Sequence, residues 1–522
     1  MTTGGRGRRL LTWLAAAVLG LGVAACGGSG SPRTEGTGQA DPNGELRIAY
    51  QFNAPGRGYP LTLNPMESVD AFGDIPVHHL IYGGLMRFTP DGGMTPDLAE
   101  SVTVVDTETV EIVLREGLKF PDGSALDAAA VKTALEAYLA TPELPSMIPA
   151  FYSLEEVEVV NETTLRLSVP DGTAASWVEL GLRGAAGVIV PPGTDFEHPA
   201  GAGPFRVVSF SVTEGMVLEK NPDYWDADSI GIAGIEFVNV PDIPAAVGAL
   251  SAGQVDWIPL DYPNLAAVNS SYETTVVPDP NQLASFTTCK RDEPFSDPLV
   301  RRALSMAIDR DAINDAVYGG TSIPAAGIWP EGHPFHNPDL DDVYPYDPDG
   351  AQELLAEAGL PDGFTFDIVP APGQGLPEAA QVIQQQLAQI GVTMNIVQTS
   401  NFIEDAYMNP RAPVSLTPVS SQAGLRRLEQ WSGPSIGNVC GYEDAELDAM
   451  VAELQTITSD DPRAAELWHQ VEEYVVDEAL SVFVLYRSAF HAYDPERVGN
   501  VVSMVGPHTS IPDVREITVG SK

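Results

Sequence analysis

The chain has 522 residues, of which 44% are apolar and 19% are charged, so it can bury a large core. Its 27 lysines and arginines are outnumbered by 72 aspartates and glutamates, and the net charge is −45. Such a surface repels phosphate backbones and anionic lipid headgroups, which argues against nucleic acid as a partner. The length predicts about three domain-sized units.

The first 25 residues are predicted to be a signal peptide. Arginines at positions 6, 8 and 9 precede an apolar run over residues 10–23, which is shorter than the roughly 20 residues that span a bilayer. The run ends in Val-Ala-Ala-Cys at 23–26, which resembles the bacterial lipobox and implies cleavage before Cys26 and a lipid on its sulfur. An ordinary signal peptide with an accidental cysteine is the alternative.

Residues 26–44 hold few apolar side chains and predict a flexible tether between the lipid and the folded body. The body would then lie at the outer face of the bacterial cytoplasmic membrane, attached through the lipid alone. The two remaining cysteines, Cys289 and Cys440, would be in an oxidising compartment, which favours a disulfide between them. Two buried thiols are the alternative.

Strand signals come first in the body. The sequence ELRIAY at 45–50 predicts an opening strand. Two hairpins follow over residues 102–114 and 157–169, where apolar residues alternate on both sides of a polar turn. We expect these hairpins to be neighbours in one antiparallel sheet.

Helices are predicted further along, most of them by an N-cap and an apolar stripe. They begin after Asp127, Asp297, Asp309, Asp347 and Asp461 and at Pro377, and glycines at 319–320, 359 and 391 end three of them. Strands are predicted between them over residues 364–369 and 392–397. This alternation indicates an α/β fold with mixed sheets.

Seven short motifs follow one another between residues 61 and 310. They are LTLNP at 61–65, IYGGL at 81–85 with MTPDLAES at 94–101, LREGLKFPDGS at 114–124, GAGPF at 201–205, NPDYW at 221–225, GALSAGQVD at 248–256, and PFSD at 294–297 with AIDR at 307–310. In this order they resemble the family 5 solute-binding proteins of ABC importers, the group that includes oligopeptide-, dipeptide- and nickel-binding proteins.

The resemblance implies a periplasmic-binding-protein fold of two lobes with a hinge between them and an extra subdomain over about residues 80–199. Lobe one would comprise residues 45–281 and 490–522, and lobe two residues 282–489. The crossing strands would be 283–288 and 480–486. The implied function is capture of a peptide or peptide-like solute between the lobes and its delivery to ABC permease subunits. No enzyme activity, cofactor or metal is implied, and a monomer is expected.

Two segments that would line the cleft lack the charges of the dipeptide-binding branch. After the strand over 414–419, where that branch has an aspartate for the ligand amine, this chain reads SSQAG at 420–424. Before the helix at Pro377, where that branch has an arginine for the ligand carboxylate, it reads APGQGL at 371–376. Because a buried charge without a partner is costly, we expect a neutral, blocked or larger ligand.

The candidate ligand-binding residues fall into two groups. The candidates for hydrogen bonds are Gln374, Ser420, Ser421 and Gln422. The candidates for apolar contact are Phe52, Trp329 and Trp431. The polar residues could equally be solvated loop residues, and the aromatic residues could equally belong to the core.

One enzyme alternative, a secreted serine hydrolase, stays open. Residues 433–437 read GPSIG, the G-x-S-x-G pattern of serine hydrolases, with Ser435 as the nucleophile. A nucleophile elbow needs a strand before the serine and a helix after it, whereas this segment is predicted to be a loop. His333 and His336 are interpreted as loop histidines, because Pro334 between them disfavours a helical metal site.

Overall fold

The structure is a computed structural model that describes residues 41–53, 61–67, 74–90, 92–140, 154–420, 424–433, 435, 437–501 and 511–520. The predicted signal peptide, Cys26, Ser421 and Gln422 lie outside these residues. Within the described ranges, no helix is both long enough and apolar enough to cross a membrane.

The described residues form nineteen strands and twelve α-helices. The strands are β1 Glu45–Tyr50, β2 Met86–Phe88, β3 Met94–Pro96, β4 Ala99–Val104, β5 Thr109–Leu114, β6 Glu156–Val159, β7 Thr164–Ser168, β8 Phe205–Ser211, β9 Gly215–Lys220, β10 Gly234–Asn239, β11 Trp257–Leu260, β12 Glu273–Thr288, β13 Ile323–Pro324, β14 Thr365–Pro370, β15 Thr393–Ile396, β16 Val414–Ser420, β17 Val482–Tyr493, β18 Val498–Gly499 and β19 Thr518–Val519. The helices are α1 Asp74–Tyr82, α2 Ala128–Leu139, α3 Ala174–Ser176, α4 Ile243–Ser251, α5 Tyr262–Leu265, α6 Pro298–Met306, α7 Arg310–Tyr318, α8 Pro348–Glu357, α9 Leu376–Ala388, α10 Leu425–Leu428, α11 Ala445–Gln455 and α12 Ala464–Asp477.

One mixed sheet of eleven strands runs through both lobes. Its order is β15-β14-β16-β12-β17-β11-β1-β10-β9-β8, and β13 also pairs with β17. The strand β14 is parallel to β15 and β16, and β1 is parallel to β10 and β11. The other neighbours are antiparallel. The predicted α/β class with mixed sheets is therefore confirmed.

The long strands β12 and β17 join the two lobes. Residues 273–278 of β12 pair with β17 beside β11, on the side of lobe one. Residues 282–288 pair with β16, on the side of lobe two. Both strands extend well beyond the predicted crossing strands 283–288 and 480–486, because each is continued into lobe one as part of the same sheet. The lobe boundaries at 281/282 and 489/490 stay predictions.

The ladder between β12 and β17 is interrupted where the lobes meet. Pairing stops at Pro278 and resumes at Leu283, so on the other strand Arg487 alone lies opposite residues 279–282. Pro278 and Pro280 lack the N–H donors that a regular ladder uses, which accounts for the bulge.

The subdomain of lobe one contains a separate four-stranded antiparallel sheet, in the order β4-β5-β7-β6. The strands β4 and β5 form the first predicted hairpin and β6 and β7 the second, and β5 pairs with β7. The expectation that the two hairpins are neighbours is confirmed. The helix α2 begins after Asp127, whose Oδ1 accepts from the Ala130 N–H at 2.9 Å, as predicted.

The predicted helices of lobe two are also present. Asp297, Asp309 and Asp347 accept hydrogen bonds from backbone N–H groups in the first turns of α6, α7 and α8. The last long helix begins later than expected. Asp461 accepts from the Arg463 N–H in a preceding turn at 2.8 Å, and α12 begins at Ala464.

Among the described residues, packing joins the two lobes at the strand crossing and also beside the subdomain. The largest buried apolar cluster continues from α4 of lobe one to α6, α7 and α9 of lobe two. In addition, Leu180 of the subdomain belongs to a cluster with Leu454 and Ile457 of lobe two, and the Glu179 carboxylate accepts from the Ser459 N–H.

The structure joins Cys289, which follows β12, to Cys440, in the turn-rich segment before α11. The two cysteines are separated by 151 positions in the sequence. Hydrogen bonds hold the same segments together, since Nη1 of Arg291 donates to the carbonyl oxygens of Cys440 and Gly441 at 3.2 and 3.1 Å. Formation of the bond in solution stays a prediction.

Candidate functional site at the strand crossing

Arg487 is the central charged residue where β12 and β17 cross. Its side chain is buried, and its two terminal nitrogens donate to the side-chain oxygens of Gln282, at 2.6 Å, and Gln374. Its Nε has no hydrogen-bond partner in the part of the chain that the structure describes. Burial lowers the pKa of Arg487. A buried cation is thus held by two neutral amides.

A tight loop before α9 brings Gln374 to the crossing. Gln374 has a φ of 56° and lies between Gly373 and Gly375, at 76° and 78°. A Cβ at position 375 would lie 2.8 Å from Cγ1 of Val317 and 2.9 Å from the Tyr318 hydroxyl, so glycine is required there. The Tyr318 hydroxyl donates to the Gln374 carbonyl at 2.9 Å and fixes the loop against α7.

Asp279 and Arg427 are fully buried charged residues close to the crossing. Burial lowers the pKa of Arg427 to about 10, and the negative charge of Asp279 opposes the lowering of the pKa in both Arg427 and Arg487. The Arg427 guanidinium lies 4.7 Å from the ring centroid of Trp329 and 5.7 Å from that of Tyr486. These cation–π contacts stabilise a charge that water cannot reach.

Glu472 of α12, in lobe two, is a further buried charged residue whose charge acts on Arg427. Its Oε1 accepts from the backbone N–H groups of Ile328 and Trp329, at 2.5 and 3.0 Å. Burial raises the pKa of Glu472 to about 7, although those two hydrogen bonds and the charges of His336 and Arg427 act in the opposite direction.

The structure describes two of the four polar candidates, Gln374 and Ser420. Gln374 lies at the crossing, and the register pairs Ser420, at the end of β16, with Gln282 of β12. Ser421 and Gln422 follow directly but lie outside the described residues. The structure therefore brings two of the four candidates to the same place.

The aromatic candidates lie in the cores. Phe52 is fully buried and packs against Tyr50, with ring centroids 5.0 Å apart. Trp431 is buried and donates from its indole nitrogen to the Leu480 carbonyl at 3.1 Å. Trp329 is buried too, but its ring contacts the guanidinium of Arg427 and so lies beside the buried charges near the crossing. Direct ligand contact is not supported for Phe52 or Trp431.

A cation from a distant segment lies beside Gln374. The loop over 371–376 contains no base, as its sequence says, but Arg487 reaches Gln374 from β17. Sequence reasoning placed charges by local position alone, whereas here the cation comes from a strand more than a hundred residues away.

Arg487 and Asp279 were not among the sequence candidates. One signal could have found them: Arg487 stands inside the otherwise largely apolar run VFVLYRSAF, and a charged residue in a buried strand needs a partner. The sequence Pro-Asp-Pro-Asn at 278–281 marks the interruption of β12. That the two segments meet depends on strand register, which these local patterns do not show.

Ser435, the nucleophile of the hydrolase alternative, lies between two helices. Its Oγ donates to Oε2 of Glu429 at 3.3 Å and accepts from the Gly437 N–H at 3.1 Å. The preceding element is α10 and the next is α11, so the elements around it are not the strand and helix of a nucleophile elbow. Burial raises the pKa of Glu429 to about 7.

A model of the bacterial extracellular solute-binding proteins, family 5 (middle), matches residues 93–423 of the chain. The chain belongs to this family. The glutathione-binding protein GsiB of Salmonella paratyphi A is 29% identical over 348 residues, which are 64% of this chain and 67% of that protein. The corresponding protein of Escherichia coli O1:K1 is 27% identical over the same length. The chain thus spans about two thirds of the length of these relatives.

Solved structures share the fold over nearly the whole chain. AgaA of A. tumefaciens R10, in complex with agropinic acid, has a TM-score of 0.78 and 22% identity, and covers 92% of this chain and 99% of its own. NikA of Brucella suis, in complex with Fe(III)-EDTA, has a TM-score of 0.77 and 20% identity, covering 91% and 100%. At these identities the likeness establishes the two-lobe fold and not the ligand.

Proposed function

We propose that the protein is the solute-binding component of an ABC importer, which captures a peptide or peptide-like solute between its lobes and delivers it to permease subunits. The observation that supports this most is the convergence of Arg487, Gln282 and Gln374 at the strand crossing. A solute bound there would contact groups from both connecting strands and from lobe two, so its binding favours one relative position of the lobes.

Peptide-like chemistry is supported by the relatives. Relatives that align over 64% of this chain are named for glutathione, which is itself a modified tripeptide. Among the proteins of the same fold, AppA of Bacillus subtilis is described with a nonapeptide and a Pseudoalteromonas protein with Met-Leu. We propose a monomer, because one chain supplies both lobes.

Calorimetry of the purified full chain with glutathione and with trialanine tests this proposal. We expect saturable binding of at least one of them, together with a smaller radius of gyration in small-angle scattering as the lobes close. Sucrose is the control solute, for which we expect neither effect. Absence of binding and of compaction with both peptides would contradict a peptide-like substrate.

We propose that Cys26 carries a lipid and anchors the protein, after removal of residues 1–25. The Val-Ala-Ala-Cys sequence at 23–26 and the polar segment that follows support this. Cys26→Ser should move the protein from the membrane fraction to the medium, whereas Ser29→Ala, in the tether, should leave it in the membrane. A Cys26→Ser protein that stays in the membrane would rule out the anchor.

We further propose that the protein catalyses no bond chemistry of its own. Ser435→Ala separates a receptor from the hydrolase alternative. We expect Ser435→Ala to bind the peptide with unchanged affinity. We also expect the wild type and Ser435→Ala to hydrolyse an ester no faster than buffer alone does. Turnover of p-nitrophenyl acetate that depends on Ser435 would favour the hydrolase.

A further inference from the structure

Two arginines that are equally buried, Arg301 and Arg487, each 4% exposed, have very different partners. The Arg301 guanidinium donates to four backbone carbonyl oxygens, those of Ala479, Phe295, Ser296 and Glu478, at 2.6 to 3.1 Å. Arg487 donates to two side-chain oxygens only, and its Nε donates to no group in the described residues. Backbone carbonyls cannot leave without unfolding, whereas amide side chains can rotate away.

The partners of Arg487 come from separate elements. Gln282 lies in the bulge of β12, and Gln374 lies in the exposed loop before α9. Neither glutamine brings a charge, and no carboxylate among the described residues forms an ion pair with Arg487. The negative charge of Asp279 acts on Arg487 and also on Arg427.

A guanidinium and a carboxylate form two parallel charge-assisted hydrogen bonds, which are shorter and stronger than bonds to neutral amides. The two amide oxygens on Arg487 accept from its two terminal nitrogens, and these nitrogens can also donate to the two oxygens of one carboxylate. Their replacement by an anion would also offset the cost of burying the cation.

We propose that Arg487 receives a carboxylate of the solute, which takes the places of the Gln282 and Gln374 side-chain oxygens. This inference rests on the proposed function, since it assigns the solute's acidic group to the same strand crossing. In place of the neutral, blocked or larger ligand expected from the sequence, it predicts an acidic one. The net charge of the chain is −45, so its surface as a whole repels an acidic solute. A buried arginine would supply the local positive charge that such a solute needs.

Acetate and its neutral isostere acetamide are the simplest probes, because they differ mainly in charge. Comparing them tests whether Arg487 binds an anion. Thermal unfolding of the full chain, followed by tryptophan fluorescence, is measured against concentration of each probe at constant ionic strength. We expect acetate to raise the unfolding temperature more than acetamide does, and Arg487→Gln to weaken acetate binding about tenfold or more. Equal effects of the two probes on the wild type, or an acetate effect that persists in Arg487→Gln, would overturn the inference.

Gln374→Glu tests the same point while it keeps the arginine. It places a permanent carboxylate beside Arg487, so we expect loss of the acetate effect although the protein folds. Gln381→Glu, on the exposed side of α9, adds the same charge away from Arg487 and should leave the acetate effect intact. An unchanged acetate response in Gln374→Glu would contradict the inference even if Arg487→Gln did not fold.

Glutathione and its diethyl ester distinguish this inference from the proposed function. If glutathione binds and both the ester and the Arg487→Gln protein bind about tenfold more weakly, both stand. If glutathione and its ester bind the wild type equally well, the carboxylate inference fails and peptide capture stands. If neither binds while acetate still depends on Arg487, the anion site stands and the peptide-like substrate fails.

Discussion

Arg301 and Arg487 are both buried near β17, but they donate to different kinds of hydrogen-bond acceptor. At the turn that leads into β17, Arg301 joins α6 to Glu478 and Ala479 through carbonyl oxygens that cannot exchange. Five residues into β17, Arg487 faces two glutamine side chains across a break in the ladder. Arg301 donates to backbone carbonyl oxygens only, whereas Arg487 donates to side-chain oxygens.

The difference follows from what each segment needs. The turn before β17 includes Ala479 at a φ of 46°, and the carbonyl oxygens of Glu478 and Ala479 both accept from Arg301. At the crossing, Pro278 and Pro280 have already removed ladder donors from β12. There Arg487 donates to the side chains of Gln282 and Gln374. We expect the arginine with backbone acceptors to be structural, and we propose a ligand only at the arginine with side-chain acceptors.

Replacing Arg301 should produce the largest loss of stability. Arg301→Ala leaves four carbonyl oxygens without their donor, and we expect the free energy of unfolding to fall by about 4 kcal/mol. Urea unfolding measures it. Arg302→Ala is the matched control: Arg302 donates to the Asp477 carbonyl, and its loss should cost about 1 kcal/mol or less. Similar losses for both variants would contradict the structural role of Arg301.

Removal of the bond between Cys289 and Cys440 should have the next largest effect. The two residues are 151 positions apart, and the chain-entropy model gives an upper value of about 5 kcal/mol, of which we expect about 3. The double variant Cys289→Ser, Cys440→Ser is compared with the wild type in urea. Thiol counting on unfolded, unreduced protein provides the direct measurement, and two titratable thiols besides Cys26 would show that the bond does not form.

Glu472 should make the stability of lobe two depend on pH. Burial raises the pKa of its carboxyl to about 7, above the usual value of about 4.3 in an unfolded chain. The folded protein therefore binds more protons between these values, so the contribution of Glu472 is fully present below about pH 4 and is lost as the pH rises through 7. The difference of about 2.7 between these two pKa values corresponds to a change of at most about 4 kcal/mol across this interval.

Glu472→Gln should reduce that slope and leave the part that comes from Glu429, because a glutamine can still accept from the Ile328 and Trp329 N–H groups without titrating. Glu473→Gln changes the exposed neighbour and should keep the slope. Unfolding midpoints in urea between pH 4.5 and 8 provide the comparison. An identical pH dependence in the wild type and in Glu472→Gln would show that the carboxyl does not titrate in this interval.

The fold could be predicted from the sequence wherever the signal was local. Asp127, Asp297 and Asp309 cap helices as expected, because an N-cap and its acceptor geometry are fixed within three residues. The two hairpins of the subdomain were recognised by alternation at period two. The crossing strands were predicted too short, because prolines at 278 and 280 resemble the end of a strand when its partner is not known.

The candidate site could be predicted only in part, for a related reason. Gln374 and Ser420 are sequence candidates because they lie in segments that the family resemblance points to, and their role in binding stays a prediction. Arg487 is not a sequence candidate, because its meeting with Gln374 depends on the register of β17 against a bulge in β12. For Phe52 and Trp431 the sequence pattern left open whether they lie in the core or in the cleft, and the structure buries both in the core.

Arg487→Gln should have the smallest effect on stability, and this is the sharpest test of the contrast with Arg301. The substitution removes a buried charge together with two bonds to neutral amides, and a glutamine can bond to those amides in turn. These effects oppose each other, so we expect the free energy of unfolding in the absence of ligand to change by less than about 1 kcal/mol. Urea unfolding of Arg487→Gln beside Arg301→Ala measures both on one scale. A loss in Arg487→Gln as large as that in Arg301→Ala would mean that the crossing arginine is structural, and the distinction between backbone and side-chain acceptors would then not separate the two roles.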